Sequence, residues 1–396
     1  MSNWKKYKLK DLGDIITGST PKTSIDEYWE NGDILFVSPG DMKGDKFIRD
    51  TERKVSLSGA ASVRMIPANS VMVTCIGSTI GKMALSSQGC VTNQQINTIV
   101  PKQDYDSNYI YYALLNNTNI FEKLKGTTAV PIINKSNFQS LEIMVPSLKE
   151  QQKIADILSS VDAAIEKTEQ VIAKTEEVKK GLMQQLLTKG IGHKEFKQTE
   201  IGEIPVKWII KKLNEVATFS QGLQVPLENQ YTESNNSNIR FLRIVDYTQS
   251  STEARYIDLV DNKYIVKVDE VVMVRYGATA GYVGRGMAGV IANNLFRISP
   301  EGILLNDYLY LFLKQEKIFN ILNKSTGASA MPAVNFSQVG NLKIAVPPLS
   351  EQRRIYDIVN KIEESIVMNN QKLDKLLDIK KGLMQQLLTG QVRVKV

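Results

Sequence analysis

Gly77-Ser78-Thr79-Ile80-Gly81-Lys82 is the stretch of this chain that comes nearest to a chemical motif, since small hydroxyl residues between glycines can fold backbone amides around a phosphate. A phosphate-binding P-loop needs four residues between its glycines and a Ser or Thr after the lysine. Here there are three, and Met83 follows. The stretch returns as Gly277-Ala278-Thr279-Ala280-Gly281, with Tyr282 where a lysine should stand. Nucleotide binding is not expected of either loop. The one histidine, His193, lies in Gly190-Ile191-Gly192-His193-Lys194, without the partners a zinc site or a catalytic triad requires. Cys75 and Cys90 sit in apolar runs and are expected to be inert packing residues, as suits a reducing cytoplasm. No Asn-Pro-Pro-aromatic motif for amino methylation occurs, and Pro347-Pro348-Leu349 belongs to the start of a helix. Catalysis is expected elsewhere than in this chain.

Binding remains, and the charge suggests to what. Of 396 residues, 49 are Lys or Arg and 42 are Asp or Glu, a net charge of +7 that suits a polyanion. The glycine loops could approach a nucleic-acid backbone closely, with Ser78, Thr79 and Lys82 in the first. Arg275, Tyr276, Thr279 and Arg285 are their counterparts around the second; Arg and Lys can also pair with guanine edges. The competing reading is a tight turn that needs positive φ. Asn93-Gln94-Gln95 and Asn293-Asn294 are amide clusters able to bond adenine bidentately, although their recurrence fits shared positioning or internal hydrogen bonding equally well. Thr128 and Ser329, each in a Gly-x-hydroxyl segment before a proline, could touch phosphates or shape a loop.

These candidates come in pairs because the chain repeats itself. Lys180-Gly181-Leu182-Met183-Gln184-Gln185-Leu186-Leu187-Thr188 recurs 201 residues later as Lys381 to Thr389. Val145-Pro146 with Glu150-Gln151 recurs at the same offset as Val346-Pro347 with Glu351-Gln352. Lys8-Leu9 through Gly18 resembles Lys212-Leu213 through Gly222. A unit near 200 residues is a duplicated domain, not a solenoid repeat.

Each copy opens with short apolar runs such as Ile34-Leu35-Phe36-Val37 and Val271-Val272-Met273-Val274, broken by Gly, Pro, Asn and Ser, which predict strands and loops. Ser107 to Leu124 and Asn306 to Leu322 carry apolar residues at helical spacing and predict one helix per copy. Each copy ends in a long helix. Ser147-Leu148-Lys149-Glu150 fits a capping box at the first. Its seam is expected at Ile154, Ile157, Val161, Ala164, Thr168, Val171, Thr175, Val178 and Leu182. The second runs through Ile355, Ile358, Ile362, Ile366, Asn369, Leu373, Leu376, Ile379, Leu383 and Leu387.

A lone helix of some 40 residues with one apolar stripe is unstable in water, so the two are expected to pair as an antiparallel coiled coil with an approximate two-fold axis. The expected fold is mixed α/β: recognition domains at 1–146 and 191–346, with long helices at 147–190 and 347–396. The helices match closely while the mixed domains share mainly glycines, prolines and asparagines. A common scaffold with divergent surfaces suits two readers of different targets, hence an asymmetric bipartite site on double-stranded DNA.

The helix after Val-Pro-x-Leu-x-Glu-Gln, the doubled Lys-Gly-Leu-Met-Gln-Gln-Leu-Leu-Thr and the Gly77 and Gly277 loops resemble the specificity subunit of type I restriction–modification enzymes, along the whole chain. The resemblance implies a cytoplasmic, non-catalytic adaptor that binds no cofactor itself. Two methyltransferase subunits carrying S-adenosylmethionine for adenine methylation would dock on the conserved helices. Up to two restriction subunits would add an ATP- and Mg-dependent nuclease. The repeated polar residues Lys179, Lys180, Gln184 and Gln185, with Lys380, Lys381, Gln385 and Gln386, are the expected docking positions, and no membrane is involved.

Overall fold

A computed structural model of the chain describes residues 4–122, 131–249, 252–324 and 332–395. It divides into two compact units, Met1–Gln170 with Asn370–Val396, and Val171–Asn369. Each unit therefore holds one mixed domain together with part of each long helix.

In the first unit, alternating and fully apolar runs form two sheets. One has five strands in the order Gly13–Thr17, Ile96–Pro101, Val71–Thr74, Met83–Ser86 and Phe47–Ile48. The other has four, Arg53–Val55, Ile34–Val37, Cys90–Thr92 and Met65–Ile66. Val71, Met72 and Val73 are all fully buried, as a strand covered on both faces requires. The second unit repeats the plan with sheets Ala217–Gln221, Leu295–Pro300, Val271–Val274, Val283–Gly284 and Arg255–Asp258, Asn238–Leu242, Gly289–Ile291, Ile265–Val266. In each, an early strand pairs antiparallel with the last: Lys5–Lys8 with Glu142–Val145, and Ile209–Lys212, which follows a hairpin of Phe196–Thr199 and Gly202–Pro205, with Lys343–Val346. That pairing closes the domain at the point where a long helix begins.

The predicted single helices are instead broken in two, Ser107–Leu115 with Asn119–Glu122 and Asn306–Leu313 with Glu316–Lys324. In the first, at Asn116-Asn117, the backbone amide of Asn117 closes a tighter turn onto the Leu114 carbonyl at 3.1 Å. In the second, a side-chain amide competes with the backbone for a carbonyl. Buried Gln315 interrupts the second and donates Nε2 to the Phe312 carbonyl at 3.0 Å.

The long helices are Leu148–Lys189 and Leu349–Leu388. They run antiparallel, as expected. In the first unit Glu150 meets Arg393 and Asp162 meets Lys380. In the second, Lys179 meets Glu363 and the Ile191 amide meets Glu351. Apolar burial is concentrated toward the ends, at Ile154, Leu158, Leu387 and Leu388 in the first unit and Leu186, Leu187, Ile355 and Val359 in the second. Between them the expected seam is partly wrong. Val171, Val178 and Ile379 are 40%, 58% and 50% exposed. The neighbouring Ile172, Lys179 and Lys380 turn inward instead. A helix of 3.6 residues per turn drifts from a strict 3.5 repeat, and the ion pairs accept the drift at these positions.

The Glu-Gln repeat is an internal fastening. Gln151 accepts from the Asp106 amide (2.9 Å) and donates to the Pro146 carbonyl (3.0 Å). Gln352 does likewise with Leu305 and Pro347 (2.9 and 2.8 Å). Glu150 is not the capping-box acceptor; buried, it takes Nε and Nη2 of Arg393 at 2.6 and 2.7 Å. Glu351 receives His193 Nε2 at 2.7 Å, Trp208 Nε1 at 3.0 Å and the Ile191 amide. His193 thus clamps a linker, within a unit whose described residues hold no metal-binding group of His, Cys, Asp or Glu.

Candidate nucleic-acid interface

Both glycine loops are turns of left-handed backbone, with φ of 60° and 84° at Gly77 and Gly81 and 88° and 85° at Gly277 and Gly281. Only glycine takes such values freely, so the recurrence follows from backbone shape. Each turn is tied down from behind, the Gly77 amide to the Pro131 carbonyl at 2.8 Å and the Gly277 amide to the Pro332 carbonyl at 3.0 Å. Thr79 Oγ1 donates to the Ile76 carbonyl at 2.8 Å. Ser78 and Lys82 stay exposed without a side-chain partner among the described residues. Arg275 lies over Tyr276 (4.8 Å to the ring centroid) with Phe336 beyond it, and its guanidinium has no ion pair there. Thr279 is half-buried, and its carbonyl accepts from the Tyr282 amide at 2.9 Å. Thr128 and Ser329 lie outside the described residues.

Arg285 faces inward. Its guanidinium donates to Asp307 at 2.9 Å and to the Tyr356 hydroxyl at 2.7 Å, fastening the second domain to the start of the distal helix. Lys46 does comparable work in the first unit, donating to Tyr112 Oη at 3.0 Å and Ser159 Oγ at 2.7 Å. Burial pulls the Lys46 ammonium down to about 8, against the opposing pull of Asp162. Both cysteines are buried free thiols, and burial pushes Cys75 up to about 11 and Cys90 to about 12.

The amide clusters sit beside the loops. The Cys75 amide bonds the Gln95 carbonyl at 2.8 Å, and the Arg275 amide bonds the Asn294 carbonyl at 2.9 Å. A strand passes over each cluster so closely that only glycine fits: a Cβ on Gly18 would lie 2.0 Å from the Asn93 carbonyl oxygen, and one on Gly222 2.2 Å from that of Ile291. Asn93 is spent on Gln95, whose amide it accepts at 3.0 Å. Gln94 accepts from Thr20 at 2.7 Å, and its NH2 has no partner among the described residues. Asn293 donates to Gln224 at 3.2 Å, and Asn294 Oδ1 is buried without a partner among the described residues.

Around each cluster opens a cleft. The first holds about 300 Å³ between Thr20, Ser38, Glu52, Arg53, Asn93 and Gln94, floored by Phe36. The second holds about 380 Å³ between Gln224, Gln230, Arg243, Asn293 and Asn294, floored by Phe241. Phe36 and Phe241 occupy the same strand of the same sheet in their two units, so the clefts are one feature duplicated. Their walls differ in charge and shape. Arg53, Glu52, Gln224, Gln230 and Arg243 were not among the sequence candidates; only strand pairing brings them to the amide clusters.

The repeated helix residues divide in the same manner. Lys179 and Lys380 are consumed by Glu363 and Asp162 at 2.5 and 2.7 Å. Lys180 pairs with Glu316, both well exposed, while Lys381, Gln184, Gln185, Gln385 and Gln386 point to solvent.

A family model described as the type I restriction modification DNA specificity domain matches residues 1–177 and again 205–378. The specificity subunit of the type I restriction enzyme MjaIX of Methanocaldococcus jannaschii is 25% identical, over 99% of this chain and 94% of its own. The MjaVIII specificity subunit of the same organism is 24% identical over the same shares. The fold is that of the type I restriction-modification S subunit from M. genitalium: TM-score 0.65 at 17% identity, covering 98% of this chain and 96% of that one.

Proposed function

Because this chain belongs to the type I restriction–modification DNA specificity family, with both of its halves matching, we propose that each half reads one part of an asymmetric, bipartite DNA target. The observation that carries this reading is the duplicated cleft. Two homologous sites share a floor, a glycine crossing and an amide cluster, yet have different polar walls, which is what two half-sites of different sequence require. The chain supplies recognition without chemistry. Methyltransferase subunits bearing S-adenosylmethionine dock on the solvent-facing ends of the long helices around Lys180 and Lys381. Restriction subunits using ATP and Mg complete the assembly in the cytoplasm. The net charge of +7 favours the polyanion, and in this reading exposed Lys82 and half-buried Arg275 neutralise phosphates.

Footprinting tests it. The full chain with its methyltransferase partners should protect two separated DNA segments of different sequence, with affinity falling steeply as salt rises. Absence of salt-sensitive DNA binding, or protection of one continuous segment, would refute it.

A further inference from the structure

The cleft of the first unit contains an arginine that is held in place and yet unused. Arg53 starts an edge strand and faces Phe36 across the ladder. Its guanidinium carbon lies 3.7 Å from the centre of the Trp29 ring, with Phe36 5.8 Å away. Trp29 is itself fixed, edge-on to Phe36 at 5.1 Å and donating Nε1 to the Lys22 carbonyl at 3.2 Å. A guanidinium lying on an indole loses rotamer freedom before any ligand arrives, while its N–H groups remain in its own plane and available. The Arg53 carbonyl accepts from Thr51 Oγ1 at 2.6 Å, but among the described residues its guanidinium has no hydrogen-bond or ion-pair partner.

The second unit serves as an internal control. The position facing Phe241 is again an arginine, Arg255, but its Nη2 is spent on Glu253 at 2.7 Å and its side chain is only 24% exposed. The aromatic shelf is missing there as well. Gln230 follows the short helical turn where Trp29 follows it in the first unit, and donates to the Val225 carbonyl at 2.9 Å. The arginine actually lining that cleft, Arg243, is tied to Asp246 and to the Glu253 carbonyl. The scaffold thus keeps an arginine opposite a phenylalanine in both units and leaves it free in one.

We propose that Arg53, held over the Trp29 ring, is a specificity-determining residue that pairs with O6 and N7 of one guanine in the half-site read by the first unit. This rests on the DNA-reading function proposed above and names the base for one of its two sites. A phosphate is the poorer ligand. Glu52 and Asp41 line the same cleft, and two carboxylates repel a phosphate. Asp41 is committed, accepting from the Ser38 and Glu52 amides at 2.8 and 2.9 Å. The Glu52 carboxylate is exposed and suits the N4 amino group of the cytosine paired with that guanine. Arginine's planar fork against the two acceptors of guanine gives the bidentate contact that neither thymine nor cytosine offers.

The test is selection of binding sites from a randomised double-stranded DNA library by the full chain in complex with its methyltransferase partners, for the natural protein and Arg53→Gln. Arg53 is exposed at a sheet edge, so the variant keeps the fold. The natural protein selects a bipartite motif with a G·C pair in one half-site. Arg53→Gln loses that preference at this one position, by roughly 10- to 100-fold, and keeps every other position. Trp29→Leu, which removes the shelf, weakens the same preference without abolishing it. An unchanged motif in Arg53→Gln would overturn the inference and leave the broader function standing. Uniformly weaker binding with a shallower salt dependence would assign Arg53 to a phosphate and overturn it too. If the natural protein selects no bipartite motif, the function itself fails.

Discussion

Lys46 shows how a single residue can carry both structure and a measurable signature. It is wedged over the Tyr112 ring at 4.6 Å and donates to Ser159 on the central helix. Desolvation by burial, the largest influence, lowers its pKa from the ordinary 10.5 to about 8. The unfolded chain therefore binds the extra proton between those values, and stability must rise with pH across that window. Relative to Lys46→Met, the natural protein should gain about 1 kcal/mol between pH 8 and 9.5, allowing for screening at a partly exposed group. Urea unfolding of both proteins at several pH values measures this, and a constant difference would count against it.

At the scale of the element, the two long helices separate fastening from display. Lys179 and Glu363 meet across the antiparallel pair, each little more than a quarter exposed. Lys179→Glu sets two carboxylates together and should cost about 1–2 kcal/mol, and Glu363→Lys a similar amount. The double swap should recover about 1 kcal/mol of their sum in a double-mutant cycle by thermal unfolding. Strict additivity would mean that the helices do not pair in this register. Lys180 and Lys381 differ: one has only the exposed Glu316, the other no partner among the described residues. Reversing both to Glu should leave the melting temperature nearly unchanged and weaken assembly with methyltransferase subunits, as native mass measurement of the complex would report. An unaltered complex would remove these lysines from the docking surface.

On the scale of the whole molecule, duplication makes the two domains exchangeable. In each domain an early strand pairs with the last at the foot of a helix, so the two ends of the domain's fold lie side by side. Replacing residues 1–146 with the corresponding domain of another family member should therefore change one half of the recognised target and spare the other. Mapping methylated adenines in DNA from cells that express the complete system tests this. A change in both halves would show that the domains do not read independently.

Much of this was open to view in the chain itself. Exact repeats such as Lys-Gly-Leu-Met-Gln-Gln-Leu-Leu-Thr, helical periodicity and the missing catalytic partners establish duplication, paired long helices and the family resemblance, because these are properties of local spacing. Which polar residues face inward was not legible. Glu150 looked like a cap and is the seat of Arg393; Arg285 looked free and holds Tyr356; Val171 and Val178 looked buried and are not. Arg53 was invisible beside Thr51 and Glu52 until strand pairing set it against Phe36 and the indole of Trp29. Spacing along a chain determines what an element is. Only packing decides which of its charges are spent on the protein and which are left for a ligand, since that depends on partners tens or hundreds of residues away.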